Sequence, residues 1–232
     1  MIAALRSLLF MLVFYPTSAV IALLLLLGVF SKRWVVTGAH LWSCWFVWCA
    51  RWLLGICIAV RGTVPQGRVI VAMKHQSMFE TLLTLYLFDH PAVVMKRELR
   101  NIPMWGYVAA QHGSIFVERD KGGVALRSLI RDARARAAEG RPILIFPEGT
   151  RVPVGEAPPL KAGLNGVYSM LDVPVVPVAH NAGLLWTKGL VKHAGTVTLA
   201  FRPAVPPGLP RERLEAAVHA AINEDPTKGE VA

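Results

Sequence analysis

Apolar positions are continuous over the first quarter of the chain and periodic after it. Residues 7–31 carry no charged side chain. At ~1.5 Å per residue, this run of about 25 residues is long enough to cross a ~30 Å hydrocarbon core. It exceeds the apolar stretch of a secretory leader and has no A-x-A cleavage site. A membrane helix is expected here, kinked at Pro16 and closed by the basic pair Lys32-Arg33. Residues 34–60 differ in kind. Trp42, Trp45, Trp48 and Trp52 fall within about 120° of one another on a helical wheel, with His40 and Arg51 on a neighbouring face. Such a face fits a helix lying in the headgroup region. A short second span with Arg51 snorkelling fits the same residues. Residues 1–60 are therefore expected to form a two-helix membrane attachment.

From residue 61 the pattern changes. The turn-like Pro65-Gln66-Gly67 is followed by short β-branched runs at 69–73, 92–95, 115–117, 143–146, 173–178 and 196–201. Helical periodicity separates several of them, over residues 77–88 and 124–138. The second of these turns Val124, Leu129, Ile130, Ala133 and Ala137 inward and its arginines outward. A last helix is expected over 211–222. Alternation of this kind predicts an α/β domain over 61–232, its largely parallel sheet flanked by helices on both faces.

Composition sharpens the picture in two ways. Hydrophobic residues make up 54% of the 232, an excess concentrated in the N-terminal part, and the net charge is +10. That charge suits an anionic partner such as lipid headgroups or a phosphate-bearing substrate. Nucleic acid is disfavoured by the membrane segments and by the lack of a recognisable binding module. The three cysteines all lie before residue 60, without metal-ligand spacing or a disulfide framework.

In open α/β sheets ligands sit beyond the carboxyl ends of the strands, and there the chemically capable residues fall. His75 follows the first strand, Lys96 and Arg97 the second, Glu118 and Arg119 the third, and Pro147-Glu148-Gly149-Thr150-Arg151 the fourth. Imidazoles as a class titrate near neutrality and suit proton abstraction. Glu80 meets His75 only if the histidine precedes the first helical turn and folds back. Ser77-x-x-Glu80 also fits a helix capping box, and a carboxylate has two oxygens with which to serve both roles. In "FPEGTR", Gly149 permits a tight turn and Arg151 offers a planar donor fork to phosphate. Glu148 suits either positioning Arg151 or binding a substrate hydroxyl. An ordinary turn with a local ion pair fits the same segment.

Four blocks, "HQSMFE", "KRELRNIPMWGYVAAQHGSIFVERD", "FPEGTR" and "VPVVPVAH", resemble in order and spacing those of the glycerolipid acyltransferase family, the 1-acylglycerol-3-phosphate acyltransferases in particular. The family's first block usually ends in Asp, where this chain has Glu80. The resemblance implies a membrane-bound O-acyltransferase that makes phosphatidic acid. It acylates the sn-2 hydroxyl of lysophosphatidic acid from an acyl thioester of coenzyme A or acyl carrier protein. It makes His75 the general base and Glu80 its orienting acid, with Ser77 not needed as a nucleophile. Backbone N–H groups at the start of the following helix become the expected oxyanion donors. Arg119 and Arg151 are implied as phosphate clamps supported by Lys96 and Lys161, with Glu148, Gly149 and Thr150 shaping the acceptor site. No metal or cofactor is implied, and the site is placed on the cytoplasmic face of the inner membrane. The same chemistry on glycerol 3-phosphate, a lyso-ornithine lipid or another lysophospholipid remains open. So does a noncatalytic protein that binds anionic lipid.

Overall fold

β-Branched runs bounded by prolines and glycines form strands, and where both faces of the sheet are covered, successive residues enter two different cores. The computed structural model describes residues 1–28, 30–118 and 122–228. It contains strands β1 (Ile56–Arg61), β2 (Ile70–Met73), β3 (Ala92–Lys96), β4 (Ile115–Val117), β5 (Ile143–Ile145), β6 (Val175–His180) and β7 (Gly195–Phe201). They join in one seven-stranded sheet of order β1-β7-β6-β2-β5-β3-β4. All pairings are parallel except β6 with β7. The carboxyl ends of β6, β2, β5, β3 and β4 thus share one edge.

Helices α1 (Ile2–Leu27), α2 (Lys32–Cys49) and α3 (Phe79–Leu87) cover one face, where Val71, Met73, Leu144, Val176 and Val178 point. Helices α5 (Gly122–Ala138), α6 (Ala162–Leu171) and α8 (Arg211–Asn223) cover the other, over Ile70, Ala72, Ile143, Ile145 and Val175. The shorter α4 (Trp105–His112) and α7 (Ala182–Leu185) follow β3 and β6.

Two expectations are corrected. The helix expected over 34–60 ends early. After α2 comes one π-helical turn, Ala50–Leu54, closed by Gly55 at φ 75°, and β1 begins at Ile56. The run Ile56-Cys57-Ile58-Ala59-Val60 is apolar enough to extend a helix on paper. Its β-branched residues instead suit a strand, and Gly55 supplies the left-handed break. The sheet therefore starts before the boundary expected at residue 60.

The N-terminal helices are also more than an appendage. Phe10, Phe14 and Phe46 are buried in the same core as Phe79 and Trp186. Burying each such side chain contributes roughly 1.5–3 kcal/mol. The tryptophan face is divided as well. The indole N–H of Trp42 donates to Ser18 Oγ (2.9 Å) and that of Trp45 to Thr17 Oγ1 (2.8 Å), tying α2 to α1. Of the four tryptophans of that face, Trp48 and Trp52 keep large exposed surfaces. Helix α1 runs through Pro16 and, among the described residues, is the one helix long and apolar enough to cross a membrane.

Candidate active site

β2 ends at Met73, and Lys74 N–H still donates to Val178 O (3.0 Å) in the ladder. The chain then leaves the sheet, and His75 lies before the first turn of α3. This lets it fold back onto the helix. His75 Nδ1 lies 2.9 Å from Glu80 Oε1. That oxygen also accepts the backbone N–H groups of Gln76 (2.8 Å) and Ser77 (2.7 Å), while Oε2 accepts the Ser77 hydroxyl. Ser77 Oγ accepts Phe79 N–H in turn (3.1 Å). The capping box and the imidazole contact coexist on one buried carboxylate.

With Nδ1 facing a carboxylate, the neutral ring carries its proton there and presents Nε2 as the basic atom. The ring stacks on Phe146 at 4.2 Å and is partly exposed. Burial pushes the Glu80 carboxyl up, but the adjacent His180, His75 and Ser77 outweigh it and hold the group at about 2. Burial pushes His180 down, toward the neutral form. Its hydrogen bonds agree, since Nε2 donates to Lys74 O (2.6 Å) and Nδ1 accepts Ala182 N–H (3.2 Å). His180 Nε2 lies 3.9 Å from Glu80 Oε1.

The amides at the start of α3 are mostly spent. Those of Gln76 and Ser77 serve Glu80 and that of Phe79 serves Ser77, leaving Met78 N–H without a partner among the described residues. The Ser77 hydroxyl is bound to Glu80 and buried, which does not suit a nucleophile.

The remaining candidates are dispersed. Glu148 has a fully buried side chain. Its Oε1 receives Lys74 Nζ (2.6 Å) and its Oε2 receives His75 N–H (2.9 Å). Gly149 adopts φ 72°, and a Cβ there would lie 3.0 Å from Lys161 Cγ. Lys161 N–H donates to Pro147 O (2.8 Å), and its exposed side chain lines a cleft with Gly149, Phe146 and Pro147. Lys96, at the end of β3, is exposed and 3.1 Å from Glu98. Thr150 is exposed. Arg119 lies outside the described residues.

Arg151 is exposed and lines a cavity of about 230 Å³ together with Gln76, Ser77 and Met78. Its other walls are Met11 and Tyr15 of α1 and Lys188 and Lys192 of the segment following α7. That second pair of cations and the α1 wall were not legible from the motifs. They come from segments sixty or more residues away from His75 in either direction. His180 was open to detection, because the strand-end rule that picks out His75 and Glu148 applies equally to β6.

Comparison with known proteins gives a consistent result. A sequence profile of the acyltransferase family matches residues 57–181. The chain is 35% identical over 167 residues to a 1-acyl-sn-glycerol-3-phosphate acyltransferase of Pseudomonas aeruginosa, covering 71% of this chain and 65% of that one. Similarity extends to the enzymes of that name from Helicobacter pylori (30% identity; 59% and 56% covered) and to the human beta form (26%; 70% and 60%). The matched region is less than two-thirds of the length of each relative. The crystal structure of the 1-acyl-sn-glycerophosphate (LPA) acyltransferase PlsC from Thermotoga maritima superposes with a TM-score of 0.75, covering 95% of both chains at 24% identity. At that identity the likeness speaks for the fold.

Proposed function

The chain belongs to the acyltransferase family, and from that premise we propose that it esterifies the sn-2 hydroxyl of 1-acylglycerol 3-phosphate. The acyl group comes from a thioester of coenzyme A or acyl carrier protein, and the product is phosphatidic acid. The observation that carries this reading is the His75–Glu80 pair, held at 2.9 Å with Nε2 left to work.

His75 Nε2 takes the proton of the acceptor hydroxyl as its oxygen attacks the thioester carbonyl. Glu80 holds Nδ1–H and balances the imidazolium that forms. Collapse of the tetrahedral intermediate expels the thiolate, which recovers the proton from Nε2. The acyl group passes directly between substrates, in keeping with the bound Ser77 hydroxyl. Met78 N–H is the amide left to face the developing oxyanion.

Arg151 is the phosphate clamp best supported by its surroundings. It shares its cavity with the residues following His75 and with the apolar α1 wall, which suits a lysolipid with its tail in the bilayer and its phosphate at the protein surface. Gly149 and Lys161 shape the neighbouring cleft, with Arg119 and Lys96 as further cations of the same edge. Residues before β1 attach the chain to the cytoplasmic face of the inner membrane, where a soluble, acidic donor meets a lipid acceptor.

The test is a panel of acceptors assayed against one acyl thioester with the full chain, reading both thiol release and acylated lipid. Lysophosphatidic acid is expected to be consumed at least ten times faster than glycerol 3-phosphate, lyso-ornithine lipid or neutral lysolipids, a margin of about 1.4 kcal/mol in kcat/KM. Thiol release with a different preferred acceptor reassigns the substrate. Lipid binding without thiol release removes the enzyme reading.

A further inference from the structure

The peptide group joining Lys74 to His75 is gripped from both sides by buried side chains. Its oxygen accepts His180 Nε2–H at 2.6 Å, and its N–H donates to Glu148 Oε2 at 2.9 Å. His180 and Glu148 come from the two chain segments whose strands flank β2. One is the last residue of β6, and the other stands three residues past the end of β5. We infer that His180, Glu148 and Lys74 are positioning residues, a clamp on one peptide plane that sets the direction in which His75 leaves the sheet. The inference rests on the general-base reading of His75.

The physical argument starts from the ladder. Up to Lys74 N–H, strand hydrogen bonds orient the backbone of β2. One peptide later those bonds stop, and a free strand end would let ψ of residue 74 and φ of residue 75 drift. A peptide unit is planar, so fixing its oxygen and its N–H from opposite sides fixes the plane, and with it the Cα–Cβ direction of His75. A base displaced by 1 Å loses on the order of 10²-fold in rate.

Lys74 completes the device. Its ammonium has three donors and meets three acceptors: Glu148 Oε1 (2.6 Å), Glu156 O (2.7 Å) and Asn223 Oδ1 of α8 (2.6 Å). Lys74 and Glu148 are both almost completely buried. A buried ion pair is poor value for stability compared with apolar side chains of the same volume. Here it places a charged acceptor against the His75 amide, and such a bond is shorter and stronger than a neutral one. Glu148, which stands in a motif suggestive of substrate contact, thus has both oxygens engaged inside the protein and a side chain with no exposed surface.

The experiment compares double variants of the full chain, in detergent micelles, that differ only in the clamp. Lys74→Met with Glu148→Gln removes both charges and keeps a carbonyl oxygen for His75 N–H. Lys74→Met with Glu148→Ala removes the charges and that oxygen. The clamp predicts a kcat about ten-fold higher or more in the Gln double than in the Ala double, with both substrate KM values within about two-fold. A second pair covers a double that fails to fold. His180→Phe should lower kcat by a similar factor, and His180→Gln, which restores an N–H donor at the position of Nε2, should recover most of it.

The amide proton shift of His75, read by NMR without turnover, should move upfield in the Ala double and stay close to its parent position in the Gln double. Equal kcat within each folded pair overturns the clamp, because a merely structural ion pair treats the two doubles alike. An acceptor KM that rises while kcat holds also overturns it, returning Glu148 to the substrate. If His75→Ala itself retains turnover, the general-base reading fails. The amide shift then still decides whether the peptide is held.

Discussion

The two ends of this sheet carry the same chemical ingredients and put them to opposite use. Beyond the carboxyl ends of β2, β5 and β6 stand His75, His180, Glu80, Glu148 and Lys74. Before the amino ends of β3, β4 and β5 stand His90, His112, Glu139 and Arg141, joined by Lys32 from the start of α2. At the second end the Glu139 carboxylate is matched by three cations. Arg141 donates to His90 O (2.9 Å), Pro91 O (3.2 Å), His112 O (3.0 Å) and Glu139 (3.3 Å). Glu139 also receives Arg136 (2.6 Å) and Lys32 (3.0 Å), and the His90 ring bonds His112 O (2.9 Å). At the first end, one ring nitrogen of a partly exposed histidine is left over. A polar cluster suits proton transfer when a carboxylate backs an imidazole whose other nitrogen is free. Otherwise it is a staple, here one that fastens α2 and the loops before β3 and β5 to the end of α5.

The largest effects should come from removing the central residue of each end. His75→Ala is expected to lower kcat by about 10²-fold or more while leaving the melting temperature within about 2 °C of the parent. Arg141→Met should do the reverse. It orphans the His90 and Pro91 carbonyls, leaves His112 O with the His90 ring alone and strips Glu139 of one partner, at a cost of about 3–5 kcal/mol. For a chain of this length that lowers the melting temperature by roughly 6–20 °C. Its kcat per folded molecule should stay within about two-fold. Calorimetry and active-fraction kinetics on both variants decide. A folded Arg141→Met with a large kcat defect would mean that the far end of the sheet reaches the chemistry.

Local pattern carried much of the working end. Six of the seven strands follow from β-branched runs, and the His75–Glu80 approach follows from placing the histidine before the helix starts. What stayed hidden depends on distant partners. β1 was masked because Ile56-Cys57-Ile58-Ala59-Val60 continues an apolar stretch, and only its pairing with β7 makes it a strand. Helices α4 and α6 carry glycines that blurred their periodicity. Gly106 in α4 lies where a Cβ would meet Arg100 O at 2.1 Å, so close packing, invisible in one dimension, demands the residue. Glu148 was legible as important and not as buried, since its partners Lys74 and His75 are over seventy residues away. The tryptophans of α2 were legible as a face, but their division between α1 and the outside needed Thr17 and Ser18 in place.

A smaller effect sharpens the role of Glu80. Four hydrogen bonds converge on its carboxylate, and one of them holds the His75 ring. Glu80→Gln keeps the length but offers a single acceptor oxygen and no charge. Glu80→Asp keeps the charge with one methylene less reach. If charge opposite the imidazolium is what matters, Asp should retain at least about ten-fold more kcat than Gln, a difference near 1.4 kcal/mol. If capping dominates, Gln should match or exceed Asp, because Gln also serves at that position of a capping box. Steady-state kcat with helix content by circular dichroism separates the two. A Gln variant as fast as the parent would make the carboxylate a cap and leave His75 oriented by its other surroundings.

The smallest effect is a difference in pH window between the two ends. Burial, reinforced by the neighbouring His90, Arg141 and Lys32, pushes His112 down to about 3, so it stays neutral in the folded chain. Its unfolded form protonates near the ordinary value of 6.5. Between those values the unfolded state binds the extra proton, so the stability this group supports is complete above about 6.5 and falls as the pH drops toward 3. Glu80 is depressed from 4.5 to about 2, so its contribution is complete above about 4.5 and is lost only as the pH falls toward 2. From pH 6.5 to 5.5 the histidine end therefore loosens while the Glu80 carboxylate is silent. One proton per pH unit is about 1.4 kcal/mol at most, and a pKa inside the window trims this to about 1 kcal/mol, or ~2–4 °C. His112→Gln should flatten the melting-temperature slope in that interval by this amount. Some slope should survive, because burial lowers His90 and His180 in the same direction. Glu80→Gln should leave the interval untouched and flatten the curve below pH 4.5. Melting curves of parent and both variants, taken every half unit from pH 7 to 3.5, give the answer. A His112→Gln slope equal to the parent's would mean that this imidazole is protonated in the folded chain, and the staple would then hold a cation more than its hydrogen bonds describe.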